Sequence, residues 1–295
     1  MLANIKRSLL CISAISCMSL YASTIAVPIK VNNPITIGST PSVPTETDYN
    51  YWLDDKTYVF HRDKDKNNKY WKANNTVTID KDYTLKLIKY YSGCTLDCYN
   101  TFTNDGNVII DDYGVLGLNY TSINTGTIDV NNGMLALWNS TLTNKGTITF
   151  KDSSYIDIYS NSTLNNTGTI TFKDSGFIDV YVDDTLTNKG TIDISNITDL
   201  SNWYNEGTFK LERGSIFILP KSISTPNSNK FKIILNGTDD DKPVNIVIPK
   251  DCKYIKYIDN NNKGVLFNAI EDATGFIFNG DKDNVKFSWQ TPVDN

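Results

Sequence analysis

Between Thr141 and Ser195 the chain writes nearly one phrase three times: TLTNKGTITFKDS from Thr141, TLNNTGTITFKDS from Thr163 and TLTNKGTIDIS from Thr185. Aligned on its glycine, the phrase extends to six copies, at Gly106, Gly126, Gly146, Gly168, Gly190 and Gly207, spaced by 20, 20, 22, 22 and 17 residues. Asn104, Asn124, Asn144, Asn166, Asn188 and Asn205 each lie two residues before the glycine. A fixed period near 20 residues announces a solenoid, in which no unit buries its apolar face until the next unit stacks on it.

A second phrase lies between the glycines: GVLGLN from Gly114, GMLALW from Gly133, SYIDIY from Ser154, GFIDVY from Gly176 and GSIFIL from Gly214. A small residue leads strict apolar alternation, which puts every second side chain on one face of a strand. The expected inward set is Leu116 and Leu118, Leu135 and Leu137, Ile156 and Ile158, Ile178 and Val180, and Ile216 and Ile218. The first phrase adds Leu142, Leu164 and Leu186, then Ile148, Phe150, Ile170 and Phe172.

Each period therefore holds two clear strands, with room for a third short one. Its turns do not make hairpins with matching apolar faces, so each strand pairs with its counterpart one period on. The predicted fold is all-β: a single-stranded right-handed parallel β-helix of about 20–22 residues per coil, its rungs about 4.8 Å apart. The recurring asparagines are expected to hydrogen-bond along the stack as an amide ladder, and the glycine after them to supply positive φ. A leucine-rich repeat shares the scale but needs a helical return, which this Thr- and Asp-rich segment does not offer. Hexapeptide left-handed helices want a shorter period.

The expected organisation has a signal peptide over 1–26, an extended lead-in over 27–48, and an aromatic-rich cap with the first coils over 49–100. Regular repeats follow over 101–219, and an irregular β region over 220–295. Lys6 and Arg7 precede a short apolar run, Leu9 to Leu20, with cleavage expected after Ala26. No later segment is long and apolar enough for a membrane helix. Of five cysteines, Cys11 and Cys17 fall in the signal; Cys94 and Cys98, as a close pair in a secreted chain, are expected to form a disulfide, leaving Cys252 over. His61 is the only histidine, so neither a zinc site nor a catalytic triad is expected. No cofactor is expected. The net charge of −5 argues against a nucleic-acid partner.

Function is sought on the outside. The outward columns of the second phrase are Met134, Tyr155 and Phe177; Ala136, Asp157 and Asp179; and Trp138, Tyr159 and Tyr181. They form an aromatic stripe around two carboxylates, for which cross-rung support is the simpler reading and a binding surface for sugar rings the sharper one. Thr147 and Thr149, repeated as Thr169 and Thr171, make an outward Thr-x-Thr ladder of the kind that binds ice in some solenoids. Neighbouring rungs substitute Asp129, Asp193 and Lys210, so the array is too short and no ice-binding is expected there. The paired acids Asp111–Asp112 and Asp183–Asp184 fall in expected turns, as does Asp239–Asp241. Sequons occur at Asn119, Asn139, Asn161, Asn165, Asn196 and Asn236.

The phrase N-x-G-T-I-x-[VF]-x-x-[SG]-x-[IL]-x-[ILV], with the signal peptide and the close cysteine pair, resembles the passenger regions of type V autotransporter adhesins and haemagglutinin-like exoproteins. The resemblance covers about residues 75–220. It implies a right-handed β-helix, secreted or displayed at a bacterial outer surface, that mediates adhesion to a host receptor or glycan without catalysis. Those proteins usually end in a membrane barrel or belong to longer chains, and neither is visible here, so the export machinery and anchor stay unknown. The other expectations are a β-helical polysaccharide lyase or glycosidase, and a structural spacer.

Overall fold

The structure is a computed structural model that describes residues 29–46, 50–61, 71–88, 96–197, 199–220, 231–236, 243–248, 255–260, 263–268, 276–279 and 285–289. The expected signal segment, Cys94, Cys252 and Asp239–Asp241 lie outside these. Among the described residues every regular element is a strand, and the strands stack as a parallel β-solenoid of about seven turns.

Each regular coil has three strands, where the sequence promised two and room for a third. One coil runs Met134–Trp138, Thr141–Asn144, Thr147–Lys151, and each strand pairs in parallel with its counterpart in the next coil. Three sheets result, named A, B and C in that order. From Gly114 to Val180 the phrase beginning Gly or Ser builds sheet A; the Asn phrase ends sheet B, turns a corner, and opens sheet C.

Alternation decides what faces inward. Leu135, Leu137, Leu142, Ile148 and Phe150 of one coil are wholly buried, as are Ile156, Ile158 and Leu164 of the next. Identical side chains meet one rung apart: Phe150 and Phe172 stack with centroids 4.9 Å apart and planes 13° from parallel, an arrangement worth about 1 kcal/mol beyond area burial.

Asn104, Asn124, Asn144, Asn166 and Asn188 form one buried file at the corner between sheets B and C. In the first four, Nδ2 donates to the Oδ1 of the asparagine one coil on, at 2.7, 2.7, 2.7 and 2.6 Å. Buried amides carry strong donors and acceptors that must be matched, and repetition supplies the match. Asn205 does not belong to this file. It pairs with Val180 in sheet A, while Leu211 takes the place below Asn188. Its copy of the phrase is the one spaced by 17 residues, too short for a full coil, so the motif there lands on a different side of the rod.

The same break overturns a second expectation. Ile216 and Ile218 face outward and Phe217 is buried, paired with Ile192 in sheet C. Once a strand joins a different sheet its phase is reset, and a shift of one residue exchanges its two faces.

The glycines also act otherwise than expected. None of the five beside the ladder has positive φ; among the described residues only Gly214 does. They are required by closeness. A Cβ on Gly146 would sit 2.0 Å from the carbonyl oxygen of Gly126, and one on Gly168 would sit 2.1 Å from that of Gly146. The left-handed positions are held instead by Asp112, Asn132, Asp152 and Asp174 between sheets C and A, and by Asn139, Asn161 and Asp183 between A and B; Asn and Asp tolerate that region.

At its start the rod is closed by the antiparallel pair Asn50–Trp52 and Thr57–His61, the second of which continues into sheet C. Trp52, Tyr58, Phe60 and Trp71 make successive edge contacts at 5.0–5.2 Å. Asn50 Nδ2 donates to the Tyr58 hydroxyl, which donates in turn to the Pro44 carbonyl. Towards the other end sheets B and C continue through Phe231–Asn236, Val244–Ile248, Phe276–Asn279 and Val285–Trp289. There Ile255–Asn260 and Lys263–Asn268 add an antiparallel hairpin to sheet B.

Replacing Asn144 with Ala leaves Asn124 Nδ2 with only its longer bonds to the Gly126 and Thr147 carbonyls, and orphans the Oδ1 of Asn166 inside the core. The expected loss is about 2–4 kcal/mol, read as a lowered denaturation midpoint. Asn205→Ala, outside the file, is expected to lower the midpoint by less than half as much.

Candidate functional site

Sheet A carries the aromatic face. Its register is continuous: Met134, Tyr155 and Phe177 form one column, Ala136, Asp157 and Asp179 the next. Trp138 and Tyr159 pair in the third, and Tyr181 follows where the strand ends. The structure therefore brings together all nine residues of the three outward columns.

They are less open than expected. Val115, Met134 and Ala136 are 5–6 % exposed and Asp157 only 2 %. Asp157 sits between Tyr155 and Tyr159 on its own strand. Val115, Met134 and Ala136 form a small apolar cluster on the outer side, against which Tyr155 and Tyr159 pack. Trp138, Tyr155, Tyr159, Phe177, Asp179 and Tyr181 are half-buried.

The rings spend much of their surface on one another. Tyr155 and Phe177 are stacked at 4.7 Å, 4° from parallel, so each offers mainly an edge outward. The other file is tilted: Trp138 to Tyr159 at 5.1 Å, Tyr159 to Tyr181 at 6.3 Å, and Tyr181 to Tyr204 at 5.5 Å. Tyr204 was not singled out in the sequence. Its column is set by pairing with Asp179, which the irregular spacing near Asn205 conceals. Trp138 begins this file, and the coil before it has Asn119 rather than a ring at that place. Its indole is the ring best placed to offer a face.

Asp97 and Gly117 continue the Asp157 column towards the start of the rod. Asp97 is also nearly wholly shielded, at 2 % exposure.

A different column lines the corner between sheets A and B. Ser140, Ser162 and Asp184 are buried one above another. The Ser140 backbone N–H donates to Ser162 Oγ at 3.2 Å, and the Ser162 N–H donates to Asp184 Oδ1 at 2.6 Å. Burial pushes the Asp184 carboxyl above its usual 3.8, against the lowering effect of backbone N–H groups of Ser162 and Asn161, with Asp183 adding repulsion. Of the Asp183–Asp184 pair, only Asp183 is a solvated turn residue. Asp111 is likewise engaged, in an ion pair with Lys86 at 3.0 Å.

Cys98 is a free thiol, wholly buried between Ala73 and Leu118 in an inward column of sheet A. The expected bridge to Cys94 is not present in the structure, and Cys94 itself lies outside the described residues. The alternation of Leu96, Asp97 and Cys98 turns the sulfur into the core, and burial raises the thiol far above its ordinary range, with the Asp97 charge adding to the effect. Among the described residues no group of three or more His, Cys, Asp or Glu is placed to hold a metal ion. No helix among them is long and apolar enough to cross a membrane.

Comparison of the chain with protein-family models, with curated proteins and with solved structures found no match.

Two outcomes follow. Asp184→Asn retains the acceptor for the Ser162 N–H and removes a charge that burial disfavours. Because the folded carboxyl binds its proton more tightly than the unfolded one, its cost is present at pH 7 and fades as pH falls through the raised value towards 3.8. The variant is expected to melt a few degrees higher at pH 7, a gain that shrinks on acidification in thermal melts followed by circular dichroism. Cys98 is expected to resist maleimide at pH 8 in the native protein and to react after denaturation, as read by peptide mass spectrometry.

Proposed function

We propose that this chain is a secreted or surface-displayed β-solenoid that mediates adhesion to a host receptor or glycan, of the type found in autotransporter and haemagglutinin-like passengers. The observation that carries the reading is the tilted file Trp138, Tyr159, Tyr181 and Tyr204 on sheet A. It runs along a rod whose length keeps such a face clear of a cell surface. Trp138 supplies a ring face for a sugar and Asp179, half-buried one column away and two coils on, an acceptor for its hydroxyls. The basic and apolar start of the chain supports export.

The second reading, a carbohydrate-active solenoid, rests on Asp157 and Asp179 standing in register on neighbouring rungs. A spacing of about 5 Å suits a retaining glycosidase. The burial of Asp157 weighs against it, since a catalytic carboxylate must reach substrate.

A glycan array probed with the mature chain is expected to give saturable binding. A Trp138→Ala, Tyr159→Ala double variant is expected to weaken that binding at least tenfold while remaining folded. Release of shortened polymer by the purified chain favours the second reading, and absence of binding to any glycan or host cell leaves a structural spacer.

A further inference from the structure

The outer face of sheet B is unlike the other two. One residue before the inward Val77, Phe102, Ser122, Leu142, Leu164, Leu186 and Phe209, a threonine opens the strand in every coil from Thr76 to Thr208. Two residues on, the second outward file holds Thr78, Thr103, Thr143 and Thr187, with Ile123, Asn165 and Lys210 in the remaining coils. Eleven of fourteen positions in a two-by-seven grid are therefore threonine. Lys210, expected from the sequence to interrupt the Thr147–Thr149 ladder, belongs instead to this sheet and lies at the far end of the grid.

Three properties of this grid suit a regular lattice. Its pairings from Ile35–Ile37 to Thr208–Glu212 run without a register shift, whereas sheet C is bulged between Thr171 and Lys173. Its two files carry one charge, Lys210 at the end, with Asp105, Lys145 and Lys189 beyond them at the corner, whereas the outer columns of sheet C hold Asp111, Asp129, Lys151, Lys173 and Asp193. Its threonines are part-exposed or exposed, and none of their hydroxyls bonds to another group among the described residues. Three hydroxyls at or beyond the next corner are spent: Thr125 and Thr167 donate to carbonyls of the previous coil, and Thr127 to Asn107.

We propose that the outer face of sheet B binds ice. The grid repeats every 4.8 Å or so along the rod and about 6.7 Å across it. Both repeats lie near those of oxygens on a prism face of ice. Each site offers a hydroxyl to bond a lattice water and a methyl group to order the waters beside it. β-Branching holds χ1 to few rotamers, so hydroxyls repeat as regularly as the backbone and little side-chain freedom is lost on contact. Uncharged neighbours matter because a charge holds its own hydration shell, oriented otherwise than the lattice. A charged or bulged face fails on both counts, which leaves sheet B. The threonines' β-propensity accounts for their presence in strands, but equally so in sheet C, where the hydroxyl grid is broken.

The test is partition of the full mature chain into a slowly growing ice hemisphere, with thermal hysteresis measured in parallel. The parent chain is expected to enter the ice at least fivefold more than albumin. Thr143→Lys, Thr187→Lys in the centre of sheet B is expected to fall to the albumin level, and Thr169→Lys on sheet C to behave as the parent. Circular dichroism melts check that all three are folded. Exclusion of the parent chain from ice overturns the proposal, as does equal entry by the sheet B variant or equal loss in the sheet C variant. Because the aromatic face lies on sheet A, the glycan result and the ice result fail independently.

Discussion

Everything in this rod depends on coils lying in register, so that each buried polar group finds its copy one rung away. The asparagine file makes the constraint specific. An apolar column tolerates a slip by exchanging one Ile for another, but a slipped asparagine would face a leucine and leave two amide groups unmatched in the core. The glycine two residues later tightens the constraint by bringing successive backbones into contact at the corner, where any side chain would collide with a carbonyl oxygen. Amide file and bare corner together hold the three sheets to one phase from Asn104 to Asn188.

That constraint acts only on the inside. With the inward columns held to Leu, Ile, Val and Phe, the outward positions are free to vary by face, and the three faces have diverged. Sheet A carries rings and shielded carboxylates, sheet B a hydroxyl grid with a single charge at its end, sheet C charges and a bulge. A solenoid thus offers separate surfaces on one scaffold, and each is long because one residue type is repeated once per coil. The aromatic file and the threonine grid are two uses of the same geometry.

The core was largely legible in the linear chain. Period, alternation and the recurrence of Asn-x-Gly are local signals, and they place Leu142, Ile148, Phe150, Ile156 and Ile158 inside without any model. Legibility failed where the period failed. The 17-residue step put Asn205 in a different sheet, and with it went the phase of Ile216 and Ile218 and the place of Tyr204. It failed again at Cys98, where proximity to Cys94 suggested a bridge while strand alternation sent the sulfur into the core.

What the sequence by itself determined is the coil: its length, its inward side chains and the amide file, because these follow from spacing along the chain. What only the tertiary structure decided is how the outsides of different coils add up. The shielding of Asp157, the column that unites Ser140, Ser162 and Asp184, and the file from Thr76 to Thr208 arise from neighbours 20 or more residues away. Coils of unequal length hide such neighbours from any fixed period, and only the register of the stacked strands reveals them.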